Sequence, residues 1–213
     1  MKIAKITKLL VMISVLAIGF DVARLEIWGT TDLLYLIWNL FLAWIPYVIS
    51  SRFIKKETRV GYFALLFILW LLFFPNAPYL VTDVLHIAER MPSHLWYDSL
   101  LFFFFGWIGL LLGILSLFHI HQYLKAHLTS LMSELAIFTI CLISSFGIYL
   151  GRFERWNSWD SFINTSQLIR NTFGILNFSD MRTPFMFVIV FTVFIYSVYR
   201  TVYVLIEDKA DVV

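Results

Sequence analysis

The chain has 213 residues, of which 61% are hydrophobic and only 14% are charged. Soluble domains average about 45–50% apolar and about 25% charged residues, so this composition excludes a soluble globular domain and predicts a membrane protein. The formal net charge is only +2, and no basic stripe marks the sequence, which argues against nucleic acid as a partner. The single cysteine, Cys141, excludes an intramolecular disulfide and a thiol-based metal site, and it is interpreted as a small buried hydrophobe.

Six apolar segments are long enough to cross a bilayer, and the chain shows no internal repeat. They predict an all-α fold, with one integral membrane domain over residues 1–213 and about six transmembrane helices. The segments lie near Leu9–Trp28, Leu33–Ser51, Val60–Leu80, Trp96–Phe118, Leu131–Leu150 and Pro184–Leu205. The first follows three lysines, as in a signal peptide, but Ala17-Ile18-Gly19 is a poor cleavage site. We therefore expect an uncleaved first span.

Polar side chains interrupt the first two spans. Asp21 and Arg24 are three residues apart, which suits an ion pair within one helix, although either could instead join a polar cluster with other spans. Asn39 has the same two interpretations, a hydrogen bond between helices or membership of that cluster.

The third span contains the most unusual stretch, Phe73–His86, in which two prolines follow an apolar run. A helix from Val60 to Phe74 rises about 22 Å, whereas a bilayer core is about 30 Å thick. The prolines, Pro75 and Pro78, should therefore lie inside the membrane and break the third helix.

Each proline also restricts the residue before it, so we expect Phe74 and Ala77 to leave helical dihedrals. Backbone freed at membrane depth must be satisfied by protein, water or a ligand. This requirement makes the break the first candidate site. Its polar residues are Asn76, Thr82, Asp83 and His86.

Beyond the fourth span, three histidines lie close to Lys125. They are His119, His121 and His127. Because His119 and His121 would diverge on a helix, we expect this stretch to be a solvated loop.

A second polar, aromatic-rich motif, Gly151–Asp160, follows the fifth span. Its tryptophans indicate the depth of a membrane interface. Arg152 and Arg155 are three apart, and guanidinium forks suit the oxygens of a lipid phosphate. They could equally pair with a carboxylate and lock the fold; the carboxylates considered are Asp83, Glu89, Asp98 and Glu154. Residues after Trp159 show helical spacing, which favours an amphipathic surface helix before the last span over an irregular loop.

Lys and Arg in the short loops indicate the orientation, because cytoplasmic loops carry an excess of both. Basic residues lie before the first span, between the second and third spans, between the fourth and fifth spans, and after the sixth span. They are Lys2, Lys5 and Lys8, then Arg52, Lys55, Lys56 and Arg59, then Lys125, and finally Lys209. Both termini are therefore predicted in the cytoplasm. Since the fourth span crosses once, the ends of the third and fifth spans should share the outer face. The predicted site there comprises Asn76, Asp83, His86, Arg152, Arg155, Asn157 and Asp160.

Two runs carry a resemblance to a known family. They are Phe-Pro-Asn-Ala-Pro-Tyr-Leu from Phe74, followed by Thr82-Asp83, and Gly-Arg-Phe-Glu-Arg-Trp-Asn-Ser-Trp-Asp from Gly151. From Leu33 to about Val204 the chain resembles a bacterial family of uncharacterised polytopic membrane proteins, a domain of unknown function. The resemblance implies a membrane protein and brings no activity, substrate or cofactor.

Three functions stay open. Asp83 and His86 could act as an acid–base pair or hold a metal, but two ligands are a weak signal, so no metal site or cofactor is predicted. Alternatively, Thr82 and Asp83 only cap a short helix. The favoured function is a binding or assembly protein that contacts the bilayer and recognises an anionic lipid head group or another membrane protein. The alternatives are an enzyme acting on a lipid-linked or envelope substrate, and a small transporter.

Overall fold

The computed structural model of the protein describes residues 3–55, 57–89, 94–153 and 182–211. Within these ranges six helices are long and apolar enough to cross a membrane, which confirms the predicted all-α, polytopic membrane fold. The α-helices are α1 (Ile3–Trp28), α2 (Tyr35–Val48), α3 (Val60–Phe73), α4 (Asn76–Tyr79), α5 (Leu95–His127), α6 (Ser130–Phe153) and α7 (Arg182–Asp211). A π-helical turn, Ile49–Phe53, continues α2, and a 3₁₀ helix, Leu80–Glu89, continues α4.

The chain forms two units, Met1–Tyr123 and Leu124–Val213. The first contains α1 to α4 and nearly all of α5, and the second contains α6 and α7. A single domain over the whole chain stays a prediction. The amphipathic helix expected between α6 and α7 lies outside the described residues.

Apolar residues at helical spacing form the core of the first unit. On α2, Leu36, Leu40, Ala43 and Tyr47 share one face and are buried, as expected for a helix that packs on one side. Trp38 and Phe41 of the same helix are 54% and 57% exposed. Both faces of α2 are therefore apolar, which suits a helix with protein on one side and lipid on the other.

The proline break changes the hydrogen bonding of the third span and leaves its backbone helical. Phe74 has φ −55° and ψ −41°, and Ala77 lies within α4. The expectation that both residues leave helical dihedrals is therefore wrong. The steric restriction before proline is a preference, and at Phe74 the surrounding helix overrides it.

Local donors replace those that proline lacks. Pro78 has no N–H, so the carbonyl of Phe74, four residues earlier, loses its regular donor. The N–H of Ala77 donates to that carbonyl at 3.1 Å. The carbonyl of Phe73, which Ala77 would otherwise serve, accepts a 3.0 Å hydrogen bond from the side-chain amide of Asn76. The backbone groups freed at Pro78 are thus satisfied within the membrane by protein groups.

Glycines of α5 allow the break to approach that helix closely. A Cβ atom on Gly109 would lie 2.5 Å from the carbonyl oxygen of Ala77. A Cβ atom on Gly106 would lie 3.3 Å from the carbonyl oxygen of Leu80, and one on Gly113 would lie 3.3 Å from Cβ of Ala77. Small residues at helix interfaces in membranes let backbones pack in this way.

In the second unit α6 and α7 form an antiparallel pair. Phe138, near the start of α6, contacts Tyr196 at a ring-centroid distance of 5.5 Å, and Tyr149, near its end, contacts Phe187 at 5.9 Å. Cys141 is fully buried in α6, as expected for a small hydrophobe.

Candidate functional site

One end of the first unit contains Asp83 and His86 of the predicted site. At this end α1 ends, α2 and α5 begin, and the 3₁₀ helix lies; we name it the Asp83 end. The opposite end of the unit contains Ser50 and His119, and we name it the His119 end. Asp83 is only 1% exposed. The side-chain amide of Asn39 donates to Oδ2 of Asp83 over 3.4 Å. Asn39 therefore forms the expected hydrogen bond between helices and also joins the polar group around Asp83.

The other polar residues of the break divide into two kinds. The amide of Asn76 serves the carbonyl of Phe73, and the hydroxyl of Thr82 donates to the carbonyl of Tyr79 at 2.7 Å. Both side chains thus stabilise the interrupted backbone. Thr82 lies inside the 3₁₀ helix and its hydroxyl donates to a carbonyl, so this bond is not the helix cap that the sequence suggested.

Asp83 and His86 share one edge of the 3₁₀ helix, because residues three apart are eclipsed in that geometry. The ring of half-buried His86 lies 6.0 Å from the ring of Tyr35, edge to face. An acid and an imidazole thus occupy one edge of a helix that faces α2.

A second buried polar group lies at the same end. Arg24 donates from Nε to Oδ1 of Asp98 at 2.6 Å and from Nη2 to Oδ2 at 3.0 Å. Its Nη1 donates to the hydroxyl and the carbonyl of Thr30, at 2.8 and 3.3 Å. The expected ion pair of Arg24 with Asp21 is therefore wrong: the guanidinium binds a carboxylate 74 residues away. Because this pairing is bidentate, it holds α1 against the start of α5.

The His119 end is also polar. Nδ1 of His119 and the hydroxyl of Ser50, in the π-helical turn, lie 3.2 Å apart, and the hydroxyls of Thr7 and Tyr47 lie 2.8 Å apart. The predicted solvated loop is wrong, because α5 continues to His127 and His121 is fully buried. The signal that could have identified this turn of helix is the apolar spacing of buried Leu117, Ile120 and Tyr123.

The structure describes only part of the second predicted motif. Arg152 lies half-buried in the last turn of α6, in the second unit. Arg155, Asn157 and Asp160 lie outside the described residues. The grouping of these residues with Asp83 therefore stays a prediction. Within the described ranges, no group of three or more His, Cys, Asp or Glu could hold a metal ion.

Sequence reasoning missed the glycines that face the break. They follow the pattern Gly106-x-x-Gly109-x-x-x-Gly113 within an apolar run. Small residues at this spacing in a membrane helix indicate a close helix contact. This signal was present in the sequence and would have predicted a close helix contact on this face of α5.

Six spans with buried polar groups define this chain as a multi-pass membrane protein. The chain belongs to the family described as "Protein of unknown function (DUF1361)", whose sequence profile matches residues 38–198. The matched region includes Asn39, the proline break, Asp83 and the glycines of α5, whereas Asp21 and Arg24 precede it. No curated protein and no solved structure matches the chain.

Proposed function

We propose that the protein is a binding or assembly protein of a bacterial cytoplasmic membrane. Both termini lie in the cytoplasm, and the Asp83 end of the first unit faces outward. There the protein recognises an anionic lipid head group or a partner membrane protein. Asp83 and His86 form the recognition group of the first unit, and Arg152 and Arg155 are the phosphate-binding candidates of the second.

The observation that carries this proposal is the burial of Asp83. A carboxylate that is 1% exposed inside a membrane span is expensive, and such residues mark functional sites by default. The side chains of Asn76 and Thr82 donate to backbone carbonyls of the break. Asp83 instead accepts a hydrogen bond from Asn39 of a neighbouring helix, which supports a role for this carboxylate beyond the local backbone.

The test compares purified wild-type protein with Asp83→Asn, Arg152→Ala and Arg155→Ala. Thermal unfolding is measured in detergent with added phosphatidylglycerol or, separately, phosphatidylcholine, each with and without EDTA. Ligands that bind only the folded state raise the Tm. We expect phosphatidylglycerol to raise the Tm of the wild type more than phosphatidylcholine does, and each variant to fold but lose that difference. Loss in the arginine variants alone would assign lipid binding to the second unit and leave Asp83 for a protein partner.

Two exposed residues provide matched controls. Arg182 of α7 and Asp32 of the α1–α2 turn are exposed, so Arg182→Ala and Asp32→Asn remove the same charges without disturbing the proposed groups. Both should behave as wild type. The proposal fails if the three site variants unfold at once and no lipid changes the wild type, because the residues then form a structural ion-pair network only.

A further inference from the structure

The buried group around Arg24 holds one carboxylate more than it holds cations. Asp21, Arg24 and Asp98 are 2%, 2% and 1% exposed. With all three ionised, two negative charges face one positive charge, and the sum is −1 inside a membrane-spanning unit. An uncompensated buried charge is strongly destabilising, so this group requires a further positive charge.

Arg24 does not supply that compensation to Asp21 by hydrogen bonding. Its Nε and Nη2 donate to Asp98, and its Nη1 donates to Thr30. In the described part of the chain, Oδ2 of Asp21 is buried and has no hydrogen-bond partner. Buried polar atoms are almost always satisfied, and an exception points to an unseen water, ion or proton.

Among the described residues, the charges that act on Asp21 are those of Arg24 and Asp98. Two further titratable groups lie at this end. The hydroxyl of Tyr97 donates to the carbonyl of Phe20 at 2.8 Å, and the ring of His94 lies 4.9 Å from that of Trp28. Asp32 also acts on Arg24, but it is negative and exposed. Every described carboxylate near Arg24 thus adds to the negative charge.

We propose that Asp21 binds one small monovalent cation, either a proton or a sodium ion. Either one cancels the single excess charge, and a hard carboxylate oxygen suits both. The site is separate from the recognition site proposed at Asp83, and its test stands independently. By filling the site, the cation stabilises the contact between α1 and α5.

The experiment compares wild type, Asp21→Asn and the exposed control Glu57→Gln in the loop between α2 and α3, each purified in detergent. Thermal unfolding is followed as NaCl replaces choline chloride at constant ionic strength, and then across mildly acidic to mildly alkaline pH in choline chloride alone. A sodium site predicts that NaCl raises the Tm of the wild type and of Glu57→Gln, and that Asp21→Asn does not respond. A proton site predicts no effect of sodium, with the wild type losing stability relative to Asp21→Asn as the pH rises.

Identical responses of the wild type and Asp21→Asn to both sodium and pH would overturn the proposal. If Asp21→Asn does not fold, two measurements on the wild type alone test the proposal. Radiolabelled sodium should then bind in competition with protons, or the infrared spectrum at neutral pH should contain the band of a protonated, buried carboxylic acid. The absence of both signals would equally overturn it.

Discussion

The two units use the same kind of ion pair in different surroundings. In the first unit Nε of Arg24 lies 2.6 Å from Asp98, and the two side chains are 3% and 1% exposed. In the second unit Nη1 of Arg200 lies 2.5 Å from Glu134, with exposures of 37% and 29%. These shortest N–O distances are nearly equal, but Arg24 binds both carboxylate oxygens of Asp98 and its pair is far more buried. Breaking a buried pair leaves a stranded charge, whereas exposed pairs contribute little.

The contacts between helices also differ between the two units. The first unit presses Gly109 of α5 against the backbone of Ala77, with no room for a methyl group. The second unit joins its helices through aromatic rings, as where Tyr149 and Phe153 contact Phe187. Backbone contacts tolerate few substitutions, whereas flexible rings can repack. The glycine contact at the break should therefore tolerate substitution less well than these ring contacts of the second unit.

The strongest test of this comparison is Arg24→Met. It removes the guanidinium and strands Asp98, so we expect a loss of about 3–5 kcal/mol of unfolding free energy. Chemical unfolding in mixed micelles measures the effect. The double variant Arg24→Met/Asp98→Leu leaves no stranded charge at this pair and should recover most of the loss. A loss below about 1 kcal/mol for Arg24→Met, the range of exposed pairs, would show that burial does not separate the two units.

Arg24 also shows where sequence reasoning reaches its limit. Composition and apolar segment length predict six membrane helices because a bilayer imposes one length on every span. They also identify the proline break and Asp83, since prolines and carboxylates are rare at membrane depth. The choice of Asp98 as the partner of Arg24 depends on how α1 packs against α5. No local spacing encodes that contact, whereas the i, i+3 spacing of Asp21 and Arg24 suggests a different one.

The error at the proline break has a similar physical cause. The sequence predicts freed backbone groups at Pro78, and these exist. Their satisfaction by Asn76 and by a shifted bond from Ala77 depends on side-chain geometry that a general proline rule does not contain. At His121 the expectation of a solvated loop failed, because α5 continues and buries that ring on the face of Leu117.

A smaller effect is expected for Gly109→Ala. The new Cβ atom would lie 2.5 Å from the carbonyl oxygen of Ala77 and 2.6 Å from Cδ1 of Leu80, so α5 must shift away from the break. Overpacking of this kind costs about 1–3 kcal/mol. The matched control is Gly61→Ala in α3, where nothing lies within 4 Å of the added atom. Thermal unfolding should show a lower Tm for Gly109→Ala and an unchanged or higher Tm for Gly61→Ala, since alanine favours helix. Equal Tm values for the two variants would refute close backbone packing at the break.

The smallest effect is expected for Glu134→Gln in the second unit. This change removes the charge opposite Arg200 but keeps a polar side chain beside Tyr196, which lies within 3.4 Å of Glu134. Arg200 also lies over the ring of Tyr203, 5.1 Å from its centroid, and retains that contact. Because both ends of the pair are partly exposed, we expect a loss of about 0.2–1 kcal/mol, which decreases further at high salt. A double-mutant cycle with Arg200→Gln isolates the pair itself. A coupling energy as large as that of Arg24 with Asp98, unchanged by salt, would mean that this pair is shielded from water in the membrane, and the contrast between the two units would then disappear.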